Sequence, residues 1–220
     1  MTRKHFDGQL EELNAELIEM GRMISGAIER AVQALLTRND ESAREVIAYD
    51  EEIDRKERTV EALCYKLLLC QQPVAGDLRT VSSALKIITD MERIGDHAAD
   101  ISELTLMLDE LPQMSNGHLR DMAAQTTGML LGSLEAYVHR DTEKARSIIR
   151  QDDIVDALFV AVKRDLIDTI RKEPQAGEAA LDLLMAAKYF ERIGDHATNI
   201  AEWAVFAHTG RHCDESGGEQ

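Results

Sequence analysis

The residues best placed to do chemistry in this chain are carboxylates spaced four apart. Two such pairs lie inside a repeated heptapeptide: Glu92-Arg93-Ile94-Gly95-Asp96-His97-Ala98 returns 99 positions later as Glu191-Arg192-Ile193-Gly194-Asp195-His196-Ala197. On a helix, residues four apart share a face, and like charges there repel by about 0.2–0.5 kcal/mol. An isolated Glu-x-x-x-Asp is ordinarily a solvated acidic face, but two features argue for more. Glu92 and Asp96 prolong the apolar stripe Val81-Leu85-Ile88, and the preceding segment carries a matching pair, Asp50 and Asp54, in line with Ile47. The later half repeats this, with Asp152 and Asp156 in line with Ile149 and Phe159, ahead of Glu191 and Asp195.

Adjacent antiparallel helices run about 8–10 Å apart, a gap that facing carboxylate pairs can span through bridging cations. Four carboxylates in a partly dry interface must take protons, recruit Arg or Lys, or bind metal. Arg93 and Arg192 each supply one positive charge against four negatives. The expectation is therefore one metal site per half: Asp50, Asp54, Glu92 and Asp96 in the first, Asp152, Asp156, Glu191 and Asp195 in the second. An all-oxygen ligand set suits Mg²⁺, Mn²⁺ or Ca²⁺, admits iron, and disfavours zinc.

His97 and His196 each lie about 100° around the helix from the preceding Asp, which makes them packing or supporting residues rather than ligands. Gly95 and Gly194 read as points of close helix approach, kept despite about 1 kcal/mol of lost helix propensity. Asp77-Leu78-Arg79 reads as a helix start. Its counterpart Glu178-Ala179-Ala180 keeps the acid and loses the Arg, so any specific role belongs to the first half. The chain shows no Gly-rich phosphate loop, no nucleophile in an informative motif and no dinucleotide fingerprint. Ile94 and Ile193 also stand where a di-iron Glu-x-x-His motif needs Glu. No catalytic residue is assigned and a non-enzyme is expected; the alternative is a carboxylate-bridged metalloenzyme on a helical bundle.

The elements that must position these acids are helices. Aromatics are 4% of the 220 residues against 44% hydrophobic residues overall, and three prolines leave long uninterrupted segments. Phe6, Leu10, Leu13, Leu17, Met20, Ile24, Ala27, Ala31 and Ala34 alternate steps of four and three, a seam about 30 residues long. It should end near Arg38-Asn39-Asp40, where Asn or Asp can cap the next helix. Further helices are expected over about 41–70 and 76–111, then over 118–140, 142–172 and 176–208. Leu119, Met122, Gly128, Ala136 and Ala145 stand 102 residues after Leu17, Met20, Gly26, Ala34 and Ala43. The predicted fold is all-α, two tandem antiparallel three-helix bundles over 1–112 and 113–209, with a disordered acidic tail over 210–220.

A net charge of −16 argues against nucleic acid or an anionic membrane surface as partner. Cys64, Cys70 and Cys213 give neither a disulfide framework nor zinc spacing, which implies a reduced, cytoplasmic setting. No apolar run approaches the roughly 20 residues of a membrane span, so a soluble chain is expected.

The chain resembles the PhoU family, the phosphate-uptake and phosphate-signalling regulators. The resemblance covers nearly the whole length: His5-Phe6-Asp7 with Leu10 and Leu13, the Pro73-x-Ala75-x-Asp77-Leu78-Arg79 turn, and both repeated heptapeptides. It implies two symmetric three-helix bundles, often dimeric, that hold metal ions, iron clusters among them, on the acid pairs named above. It also implies negative regulation when phosphate is plentiful, through the ATPase subunit of the phosphate transporter (PstB-like) and a sensor histidine kinase (PhoR-like). This sequence departs from the family where Asp100 replaces the usual Asn, which Asn199 keeps, and the copies differ where Phe159 answers Glu57. The two sites are thus expected to differ in charge.

Overall fold

The computed structural model describes residues 3–71, 76–108, 112 and 117–211, without the side chains of residues 3, 4, 70 and 71. The expected tail over 212–220 and the link over 113–116 lie outside the described residues. Helices α1 (Arg3–Thr37), α2 (Asp40–Gln71) and α3 (Gly76–Met107) form one bundle. A second comprises α4 (Gly117–His139), α5 (Thr142–Ile149), α6 (Asp152–Lys172) and α7 (Gly177–Thr209). A single 3-10 turn, Pro174–Ala176, leads into α7. The bundles meet where α3 lies along α7, the most extensive helix contact in the molecule, and where α1 lies along α4. Helix α2 packs on α1 and α3, and α5 and α6 pack on α4 and α7.

The 3–4 seam of α1 explains its length. Leu13, Leu17, Met20, Ile24, Ala27, Ala31 and Ala34 are all buried, joined by Phe6, while Leu10 packs half-buried against them. Both bundles turn their first corner in the same way. The Asn39 N–H bonds to the Ala34 carbonyl and the Asp141 N–H to the Ala136 carbonyl, each reaching back five residues. This leaves Arg38 and Arg140 with φ of 51° and 58°, at the position helix ends usually give to glycine. The next helix is then capped by a side chain: Asn39 Oδ1 accepts from the Ser42 N–H at 3.0 Å, and Asp141 Oδ1 from the Lys144 N–H at 2.9 Å.

One expected helix is divided. The predicted 142–172 helix breaks at Arg150-Gln151, where the Gln151 and Ile154 N–H groups bond to carbonyls three residues back, those of Ile148 and Gln151, instead of four. The tightening has two tethers: a methyl at Gly132 of α4 would stand only 2.7 Å from Ile148 Cδ1, and Gln151 accepts from Gln125. Helix α2 runs straight through the matching region. The third helix ends at Met107, short of the expected 111.

Removing either corner cap leaves a helix N–H unpaired. Asn39→Ala and Asp141→Ala should each lower stability by about 1 kcal/mol, read as a fall in the urea midpoint at unchanged slope. Unchanged midpoints in both would show that the corners are held by packing alone.

Candidate metal centre

The seam of α2 carries its acids in core register. Ala43, Val46, Ile53, Val60, Cys64 and Leu67 are buried, and the 3–4 alternation that connects them passes through Asp50 and Glu57. The sequence reading aligned Asp50 and Asp54 with Ile47. Ile47 is only half-buried, and Asp50 instead belongs to the stripe of Val46 and Ile53. On α5 and α6, Ala145, Ile148, Val155, Val162 and Leu166 likewise leave Asp152 in a seam position.

A carboxylate fits there because the opposing helix gives up a side chain. A methyl at Gly95 would stand 3.1 Å from Ile53 Cγ2 and 3.4 Å from Asp50 Oδ1. A methyl at Gly194 would stand 3.3 Å from Val155 Cγ1 and 3.5 Å from Asp152 Oδ1. The glycine of each repeated motif is therefore a point of close helix approach, as expected, and it faces the leading Asp of the other acid pair.

In the first cluster, Asp50 Oδ1 is buried and accepts no hydrogen bond among the described residues. Burial, then the charges of Asp96, Asp54 and Glu92, push the Asp50 carboxyl up to about 6. Burial and Asp96 also raise Glu92, against the pull of Arg93. Burial and Glu61 raise Glu57, with Glu92 and Asp54 adding to it. The four predicted residues thus converge, with Glu57 at their edge. Two arginines offset them from outside: Arg93 Nη1 reaches Asp96 at 2.9 Å and its Nε reaches Glu92 at 3.5 Å, while Arg58 reaches Asp54 at 3.3 Å.

The second cluster differs in exposure and in the cation beside it. Asp156 and Asp195 are exposed, whereas Asp54 and Asp96 are half-buried. Burial raises Asp152, followed by the charges of Asp195 and Asp156. Burial and Glu191 raise Asp195, opposed by Lys188. Lys188 pairs with Glu191, and its Nζ stands 5.6 Å from the Phe159 ring centroid. The first-half counterpart of Lys188 is Thr89. Asp152 also opens α6, where the helix N-terminus favours negative charge, whereas Asp50 lies inside α2.

The motif histidines face the other bundle. His97 is 9% exposed, bonds to Asp100 through Nδ1 at 3.0 Å, and lies 5.4 Å from the Tyr189 ring and 5.7 Å from the His196 ring. Burial holds it below the usual histidine range, and Asp100 only partly offsets this. His196 Nδ1 bonds to Asp90 Oδ1 at 2.8 Å, and Asn199 donates to the same oxygen at 3.1 Å. Asp90 and Tyr189 occupy equivalent positions 99 residues apart, yet one holds a histidine by a hydrogen bond and the other by ring contact. Sequence reasoning singled out neither, nor Lys188. Only Lys188 left a trace there, three residues ahead of Glu191.

As they stand, no three His, Cys, Asp or Glu side chains among the described residues are arranged to hold one metal ion. Arg93, Arg58 and Lys188 hold several of the carboxylates instead. The donor chemistry nevertheless fits a hard cation: all the acids offer oxygen, they crowd one seam, and Asp50 Oδ1 is buried without a donor.

The whole chain has close relatives. A PhoU domain model matches residues 17–105 and again 119–204, one copy per bundle. The phosphate-specific transport system accessory protein PhoU homolog of Clostridium acetobutylicum is 35% identical, over 97% of this chain and 99% of its own. The crystal structure of PhoU from Pseudomonas aeruginosa superposes with a TM-score of 0.87 at 30% identity, covering 94% of this chain and all of that one. That of the phosphate transport system regulatory protein PhoU from Streptococcus pneumoniae gives 0.85 at 29% identity, covering 95% and 99%. The class is an all-helical protein built from two repeated three-helix bundles. This chain belongs to the PhoU family.

A carboxyl whose pKa is raised in the folded state binds its proton more tightly folded than unfolded, so its contribution to stability falls as pH rises through that interval. For Asp50 the interval runs from 3.8 to about 6. In chelator, Asp50→Asn should melt with the parent near pH 4 and above it at pH 7.5. A variant less stable than the parent at pH 7.5 would overturn the burial and repulsion assigned to Asp50.

Proposed function

We propose that this chain is a cytoplasmic, non-enzymatic negative regulator of phosphate uptake and phosphate-starvation signalling. It acts when phosphate is plentiful, through the ATPase subunit of the phosphate transporter and a sensor histidine kinase, as a homodimer. The observation that carries this reading is the end-to-end match to proteins named as phosphate-specific transport system accessory proteins. The relative from Streptococcus pneumoniae is itself called regulatory. Two further observations agree. Among the described residues no helix is long and apolar enough to cross a membrane, which suits an accessory to a transporter rather than its channel. The acids stand in a helix seam, where a bound ion would brace α2 on α3 and α6 on α7.

The same reading places metal ions, Mg²⁺, Mn²⁺ or iron, on Asp50, Asp54, Glu92 and Asp96, and on Asp152, Asp156, Glu191 and Asp195. A cation there supplies charge neutralisation: it replaces the repulsion that raises Asp50 and Glu92 with shared coordination. The sites are unequal. The first holds the Asp50 carboxyl, raised to about 6 by burial and its fellow acids, while the second carries Lys188 beside Glu191, so the first gains more from a cation and binds it more tightly.

Disrupting the gene in its host should leave phosphate uptake unrestrained in phosphate-rich medium, with restoration by the parent chain. Uptake that still shuts off normally would overturn the regulatory reading. Elemental analysis after Mn²⁺ or Fe²⁺ loading should find metal that Glu92→Ala reduces more than Glu191→Ala, and Lys188→Thr should raise occupancy of the second site. Equal loss from both alanine variants would remove the inequality, and no metal in the parent would remove both sites.

A further inference from the structure

A concavity of about 230 Å³ lies away from both acidic clusters, where the start of α3 meets the ends of α4 and α7. It is lined by Gly76, Asp77, Arg79, Thr80, Arg140 and His208. Arg79 Nε is buried and finds no hydrogen-bond partner among the described residues. The guanidinium lies beside the turn that ends α7: a methyl at Gly210 would stand 3.4 Å from its Cζ. Arg140 occupies the left-handed corner position at φ 58°. A side chain there costs about 1–2 kcal/mol relative to glycine.

The walls are pinned across both bundles. The buried Tyr137 hydroxyl donates to the Thr80 carbonyl at 2.8 Å, joining α4 to α3. His208 Nε2 bonds to the Tyr137 carbonyl at 2.9 Å, joining α7 to α4. A carbonyl only accepts, so Nε2 carries the proton. Burial keeps this ring below the usual histidine range, outweighing the carbonyl bond. The first turn of α3 adds backbone N–H groups that no carbonyl within the helix accepts. In a chain of net charge −16, two arginines against Asp77 make this corner locally positive.

The internal repeat serves as a control. Where the pocket has Arg79, Tyr137 and Arg140, the equivalent residues of the other copies are Ala180, Leu35 and Arg38. Only the corner arginine is shared, so the half-buried Arg79 and the tyrosine strut belong to one corner alone.

We propose that this pocket binds inorganic phosphate. The Arg79 and Arg140 guanidinium groups offer paired donors to a tetrahedral oxyanion, and the α3 N-terminus offers backbone donors to the same charge. A liquid water occupies about 30 Å³, so the cavity holds the ion with part of its hydration shell. Asp77 has an interaction of its own. A carboxylate keeps lone pairs for a second donor, and the proton of hydrogen phosphate supplies one that sulfate lacks. The site shares no residue with the acidic clusters and needs no partner protein, so its failure leaves the regulatory and metal readings standing.

The test is titration calorimetry with inorganic phosphate on the full chain in chelator, which removes any metal-borne phosphate. Binding should weaken at least tenfold in Arg79→Ala, as loss of a charge-assisted contact predicts, and stay within twofold of the parent in Arg38→Ala. Arg79→Lys, which keeps the charge and guards against misfolding, should bind between the two. Sulfate should bind at least tenfold more weakly than phosphate. No heat below about 10 mM phosphate, an affinity of about −2.7 kcal/mol, would overturn the proposal. So would equal binding of sulfate, or an equal loss in the Arg38→Ala control.

Discussion

Asp50 and Asp152 hold seam positions that their neighbours fill with apolar side chains, and the cost of a carboxylate there shapes the surrounding sequence. A branched residue opposite would leave no room, so Gly95 and Gly194 stand across from them. A lone buried charge would need a counter-charge, yet the residues that converge on Asp50 are further acids. The seam is thus closely approached and over-negative at the same point. That combination is unfavourable for stability alone, because an apolar pair of similar volume would usually hold the helices at least as well. Its presence in both copies, at the same register and opposite the same glycine, is what a cation-dependent brace requires.

The two copies solve the charge problem differently. Around Asp50, Asp54 and Asp96 are half-buried and relief comes from Arg93 and Arg58 on the outside. Around Asp152 the chain breaks its helix so that the carboxylate opens α6, places Lys188 beside Glu191, and replaces the acid Glu57 with Phe159. Each change lowers local negative charge or the cost of holding it. Asp50 is raised to about 6, so ionisation of the first cluster weighs on the fold.

What happens at either cluster is felt at the join between the bundles. Asp96 and His97 are adjacent, as are Asp195 and His196, and successive helix positions point the acid at its own seam and the histidine across to the other bundle. His97 rests against Tyr189 and His196 while Asp90 holds His196 and Asn199. His97 is buried in the α3–α7 contact and next in sequence to Asp96 of the first cluster, so any displacement of α3 against α2 would carry the His97 wall with it. The repeated heptapeptide is therefore one element with two faces, and the reason for its length is that both must keep register.

Much of this was legible in the chain because it rests on periodicity. The α1 seam, the corner cap at Asn39 and the doubled motif all follow from the order of the residues alone. Asp50 in core register was legible too, had the stripe been drawn through Val46 and Ile53 rather than through Ile47. Pairings across helices were not. Nothing in sequence separation connects Asp90 to His196, or Tyr137 to Thr80 and His208, since these depend on how two bundles dock. The break at Gln151 was hidden for the same reason, being set by Ile148 against Gly132 of another helix. The loss of Arg79 in the second copy was plain from the letters, but its meaning was not, because the partners that give it a pocket come from α4 and α7. Repeats of one unit fold alike wherever local spacing governs, and diverge in function where each copy meets a surface the other does not have.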